Sequence, residues 1–210
     1  MEPENVRHAA PAPSPKGNGL PRRELDPAAR AQLDEALRAG DHRRAIALLD
    51  ALFGDGLFRF IVALVGREDA ADDLYQITLL AAFRDLGSFE ARSSIRTWLF
   101  GIARHRCLDA LKAAKRRDGR FSSMAALPET ADDAPGAPDR LDDAEVRAAL
   151  QRCLDELPAD ARMVLLLRFS EGMPYEDIAR VCRSSAEAVR ARVSRALPLL
   201  RRCVERKGVL

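Results

Sequence analysis

The chain has 210 residues, of which 47% are hydrophobic and 31% charged. That length suits one large domain or two small ones, and the apolar content excludes a wholly disordered chain. Aromatics at 5%, beside abundant Ala, Leu and Arg, favour helix over sheet. The net charge of +2, from 34 basic and 32 acidic residues, does not by itself indicate a nucleic-acid partner; its distribution along the chain says more.

Residues 1–29 carry Pro3, Pro11, Pro13, Pro15, Pro21, Gly17 and Gly19 among few apolar side chains. Such a stretch cannot offset its ordering entropy and reads as a disordered tail. Helical spacing then runs through Leu33, Ala36 and Leu37 to a stop at Gly40, with Asp41 as the next cap. Ala45, Ile46, Leu49, Leu52 and Phe53 continue the pattern. Gly54-Asp55-Gly56 is expected to interrupt or bend it before a strongly apolar segment ending at Gly66. Asp69 is the expected cap of a helix reaching about Leu86. Ser93 or Ser94 is the expected cap of another that ends in a basic run at Arg117.

Residues 118–142 are rich in Pro, Gly, Ser and acidic side chains, and read as a flexible acidic linker. Beyond it, Val146, Leu150, Cys153 and Leu154 mark a helix, Pro158 opens the next, and Pro174 opens a short one. A long helix follows from Ser184 or Ser185. The expected architecture is all-α: two small helical domains, 30–117 and 143–207, joined by the linker.

Cys107, Cys153, Cys182 and Cys203 contain no C-x-x-C pair, and His8, His42 and His105 are equally scattered. There is no zinc spacing, so no metal and no cofactor are expected, and the cysteines read as buried free thiols in a reducing compartment. No apolar run approaches the roughly 20 residues that cross a membrane. The N-terminus lacks the apolar segment of a secretory signal, so a cytoplasmic location is expected.

The segment from Tyr175 to Val193 has a short helix, a tight turn and a longer helix, the pattern of a helix-turn-helix. Ser184 and Glu187 fit a capping box. Val189, Val193, Ala196, Leu197 and Leu200 form the inward face. Glu187, Ala188, Ala191, Ser194 and Arg195 form the outer face, with Arg190 and Arg192 at its flanks. Small outer residues admit a helix to the major groove, and flanking arginines meet phosphates. From Arg180 to Lys207 nine basic residues face two acidic ones, a local charge of +7.

Two stretches stand out nearer the N-terminus. Asp72-Asp73-Leu74-Tyr75-Gln76 lies in an acidic helix start; with no nucleophile or metal cluster beside it, acid–base catalysis is not expected. Phe89, Arg92, Ser93, Ser94, Arg96, Thr97 and Trp98 surround a loop-to-helix junction. Aromatics that stack on unpaired bases and arginines that hold phosphates suit single-stranded DNA there; Trp98 reads equally well as a core anchor.

These pieces, with the run Arg92 to Arg104, Cys107-Leu108-Asp109 and the helix-turn-helix after Leu157-Pro158, resemble a sigma-70 family sigma factor of the extracytoplasmic-function (ECF) group. The resemblance implies a sigma-2-like domain at 30–117 and a sigma-4-like domain at 143–207. It implies that Asp72, Asp73, Leu74 and Gln76 grip core RNA polymerase. It implies that Phe89 through Arg96 capture a flipped base of the −10 element, and that Thr97, Trp98, Arg104, His105 and Arg106 assist melting or backbone contact. Arg183, Ser184, Ser185, Glu187, Arg190, Arg192 and Arg195 would read the −35 duplex.

An anti-sigma factor is common in the group, and the free chain is expected to be a monomer. Three departures from the family pattern are Ile77 in place of an acidic residue, Arg183-Ser184 in place of the usual Gly and apolar residue of the turn, and Pro198 within the last helix, where a kink is expected. The alternative reading of the residues is a stand-alone dimeric helix-turn-helix transcriptional regulator.

Overall fold

The computed structural model describes residues 26–117 and 143–208. The acidic linker and most of the predicted tail lie outside the described residues, but helix α1 (Pro27–Arg38) begins inside the stretch read as tail. Asp26 caps it by accepting from the Ala28 N–H at 3.0 Å, and Pro27 supplies a preset φ at its start. Helix α2 (His42–Val65) is capped by Asp41, which accepts from the Arg44 N–H, and ends at Gly66 in the left-handed region.

Gly54 and Gly56 do not break α2. Their role is close approach: a Cβ on Gly54 would meet the Tyr75 hydroxyl at 2.5 Å, and one on Gly56 would meet a Glu171 carboxylate oxygen at 2.8 Å. Helix α3 (Glu68–Asp85) starts one residue before the expected cap. Asp69 lies in its first turn and pairs with Arg67 instead. A short 3₁₀ turn, Leu86–Ser88, follows. Helix α4 (Ile95–Arg117) starts where Ser94 accepts from the Thr97 N–H at 3.0 Å, so Ser94 is the cap.

The second lobe holds α5 (Asp143–Asp155), α6 (Ala159–Leu165) with a π-helical turn Leu166–Ser170, α7 (Tyr175–Cys182) and α8 (Ala186–Arg206). Helix α8 runs through Pro198. Among the described residues every element is helical, as expected from composition.

The first lobe packs Leu49, Phe60, Ile61, Leu64, Leu99 and Phe100 at its centre; the second packs Met163, Val164, Ile178, Val189 and Val193. The two centres join in one continuous buried cluster. Helix α7 lies on α4, and the π-helical turn lies on α2. At the junction Arg96 donates to the Glu171 carboxylate and to its backbone carbonyl, both at 2.8 Å.

The cysteine reading is corrected for one pair. Cys107 and Cys182 are buried free thiols, but Cys153 and Cys203 form a disulfide between α5 and α8. Fifty residues separate them in sequence, so no local spacing reveals the pairing. No helix among the described residues is long and apolar enough to cross a membrane.

Candidate nucleic-acid and partner interface

Helices α7 and α8 form the helix-turn-helix. Arg183 ends α7 with φ 51°, the left-handed conformation that glycine adopts most readily. The turn therefore keeps its geometry with a non-glycine residue. Ser185, not Ser184, is the N-cap of α8, accepting from the Ala188 N–H at 3.1 Å; with Ala188 at the third helical position, the expected Ser184–Glu187 capping box does not form. Glu187 stays in the first turn, where its charge faces the positive helix end.

Val189, Val193 and Ala196 face inward as expected, whereas Leu197 is 42% exposed. Arg183, Ser185, Glu187, Arg190 and Arg195 are exposed, and Ser184 and Arg192 are half-buried. Arg190 pairs with Glu176 at 2.8 Å and lies over the Tyr175 ring. This holds its guanidinium at the flank of α8.

The loop before α4 places Phe89 and Trp98 together, both half-buried, with ring centroids 5.4 Å apart. Arg92 is exposed and pairs with Glu90. Ser93 is half-buried and Ser94 exposed. Thr97 departs from expectation: it is 3% exposed, and its hydroxyl shares a hydrogen bond with Ser94 at 2.7 Å. It shapes the helix start from beneath.

Arg96 is drawn to the lobe junction, between the Glu171 carboxylate and the faces of Phe53 and Phe100. Arg104 is half-buried beside the Cys182 thiol, and His105 pairs with Asp109 at 3.1 Å. A cleft of about 520 Å³ between α4 and α7 gathers Trp98, Arg104, His105, Arg106, Arg180 and Arg183. Basic residues predicted for separate DNA elements thus line one cleft.

Asp72, Asp73 and Gln76 are exposed on α3. Leu74 is not: at 9% exposure it belongs to the core, because it falls on the stripe with Ala71 and Thr78 that faces the bundle. Sequence reasoning missed what replaces it. Ile77, Leu80 and Phe83 are 45%, 68% and 42% exposed, an apolar row beside the acidic turn. The signal was an α3 with more apolar residues than one buried face accommodates. Glu171 was also missed. Nothing local distinguishes it from a surface carboxylate, yet its side chain is 5% exposed against Arg96 and Gly56.

Taken together, the fold and surface define a helical two-lobe DNA-binding protein with a helix-turn-helix and a separate exposed apolar face. The family model described as sigma-70 region 2 matches residues 51–117, and that described as sigma-70 region 4 matches residues 147–200. The chain is 37% identical over 137 residues to "ECF RNA polymerase sigma factor EcfG" of Rhodopseudomonas palustris, covering 65% of this chain and 72% of that one. It is 34% identical over 175 residues to "RNA polymerase sigma-H factor" of Pseudomonas aeruginosa, covering 79% and 88%.

Among solved structures it resembles the sigma factor RpoE from Bartonella quintana, solved in complex with the anti-sigma factor NepR. That likeness has a TM-score of 0.59 and 29% identity, covering 74% of this chain and 94% of that one. The chain belongs to the sigma-70 family, in its ECF group. Its function is that of a sigma factor, which binds RNA polymerase and directs it to promoters.

Proposed function

We propose that the two lobes divide this work. The α3 surface around Asp72, Asp73, Gln76, Ile77 and Leu80 docks on core RNA polymerase; Leu74 supports it from the core. Phe89 through Arg96, with Trp98, Arg104, His105 and Arg106, captures the separated strand of the −10 element. Helix α8 enters the −35 duplex through Ser185, Glu187 and Arg195, with Arg183, Ser184, Arg190 and Arg192 at the phosphates. The chain acts as a cytoplasmic, non-catalytic monomer without a cofactor. An anti-sigma factor is a further partner, as the complex of the Bartonella relative with NepR suggests.

The observation that carries this reading is the exposed row of Ile77, Leu80 and Phe83 beside Asp72 and Asp73, a face that the chain's own core leaves uncovered. The Arg96–Glu171 contact adds a condition. Arg96 is engaged while the lobes are packed together, so the free chain binds promoter DNA weakly, and docking on polymerase separates the lobes.

Reconstitution with core polymerase and run-off transcription test the scheme. Replacing both Arg190 and Arg192 with Ala abolishes −35-dependent transcript and makes the salt dependence of DNA binding shallower. Nanomolar promoter binding by the chain without polymerase would overturn it.

A further inference from the structure

We propose that Cys153 and Cys203 are a reversible thiol–disulfide site that fastens α8 to α5 within the sigma-4-like lobe. The pair joins α5 to the last turns of α8 with Cα atoms 5.7 Å apart. Cys153, Cys203 and Val204 form a small buried cluster of their own, with Leu200 packed at its edge. Val204 and the Glu156 ion pairs with Arg206 and Lys207 hold the same end of α8, and the covalent bond adds to them. In the reducing cytoplasm where a sigma factor works, such a bond forms and breaks with conditions.

Cys107 and Cys182 have no partner thiol and stay in the main core, where burial pushes both thiols up. Cys203 lies near the end of α8, its Sγ 3.4 Å from a Glu156 carboxylate oxygen. Arg206 at 3.4 Å and Lys207 at 3.5 Å flank that carboxylate. Helix α8 ends at Arg206, so opening of its final turn admits a small reagent.

The chemistry is exchange with a low-molecular-weight disulfide, RSSR. The Cys203 thiol loses its proton to solvent, and the thiolate attacks one sulfur of RSSR. The S–S bond of RSSR breaks, and RS⁻ leaves and is protonated. Cys153 then attacks the Cys203 sulfur and expels the second RS⁻, which takes the remaining proton. Two protein thiols are oxidised and one RSSR is reduced to two RSH.

Helix α5 also touches the first lobe. Gln151 donates to the Ala63 carbonyl at 3.3 Å, and the Asp155 carboxylate lies against Gly66. The disulfide therefore fastens α8 to a helix already seated on α2, and the oxidised chain holds the packed arrangement more firmly. The consequence for transcription rests on the function proposed above; the existence of the redox pair does not.

The full chain, equilibrated with oxidised glutathione or with dithiothreitol, is acid-quenched, denatured and alkylated. Two labelled cysteines are expected after oxidation and four after reduction. Reduction lowers Tm by roughly 10 °C, the scale expected for opening a loop of this length. The double variant C153S/C203S melts near the reduced wild type and ignores both reagents. With core polymerase, reduced wild type yields more run-off transcript than oxidised wild type, a difference the double variant lacks.

Four labelled cysteines after oxidation, which is read on wild type and needs no variant to fold, would overturn the proposal. Equal transcript from both redox forms would overturn its regulatory half. No transcript from either form would sink the sigma-factor reading and leave the labelling and melting results standing.

Discussion

Cys107 illustrates how one side chain reports on the core. It lies on α4 with no exposed surface, and desolvation pushes its thiol from the ordinary 9.0 up to about 12. Because the folded-state value is raised, the stabilisation is full below pH 9.0 and is lost as pH climbs toward 12. Thermal melts between pH 8 and 11 should show stability falling with pH, and falling less steeply in Cys107→Ala. An identical slope in the variant would show that the thiol is not buried as described. Arg183 shows a different residue-scale constraint. Its left-handed backbone costs about 1 kcal/mol, so the position holds an arginine at some expense of stability.

Helix α3 carries two faces with different duties. Ala71, Leu74, Thr78, Ala81 and Ala82 bury one stripe in the bundle, while Ile77, Leu80 and Phe83 leave a second stripe bare. The departure at Ile77 makes sense at this scale. An apolar residue in place of an acidic one extends the bare stripe toward Asp73, so the proposed docking face is more hydrophobic and less charged. Leu80→Glu should leave thermal stability within about 0.5 kcal/mol, because the side chain is 68% exposed. It should weaken binding to core polymerase roughly tenfold or more if this stripe is the contact. Surface binding measurements on immobilised core would decide; unchanged affinity removes α3 from the interface.

The whole molecule turns on the junction between its lobes. Glu171 follows the π-helical turn of the second lobe, reaches over Gly56 on α2, and takes Arg96 from the mouth of α4. The contact joins a proposed strand-capturing residue to the lobe proposed to read duplex. Glu171→Gln keeps a hydrogen-bonding group and removes the charge, a loss of about 2 kcal/mol for a contact largely shielded from water. Energy transfer between dyes on α1 and α8 should then report a longer separation, together with tighter binding of a single-stranded −10 oligonucleotide. An unchanged separation would mean that the remaining α4–α7 packing holds the lobes by itself.

Much of this was legible in the chain alone, because the relevant information is local. Caps at Asp41 and Ser94, glycine stops and apolar spacing act within a few residues, so most of the helices and the helix-turn-helix could be read directly. The motifs also supplied most of the residues proposed for the site, of which the structure moves Leu74 and Thr97 into the core. What the chain alone could not decide involves partners far apart in sequence. The through-helix at Gly54 and Gly56 depends on Tyr75 and Glu171, which need room that only glycine leaves. Leu74 and Thr97 are core residues because of which way α3 and α4 rotate against their neighbours. The Cys153–Cys203 bond and the Arg96–Glu171 pair span 50 and 75 residues. Such contacts carry no periodic or capping signature: packing of α5 on α8 within the second lobe brings the first pair together, and packing of one lobe on the other the second.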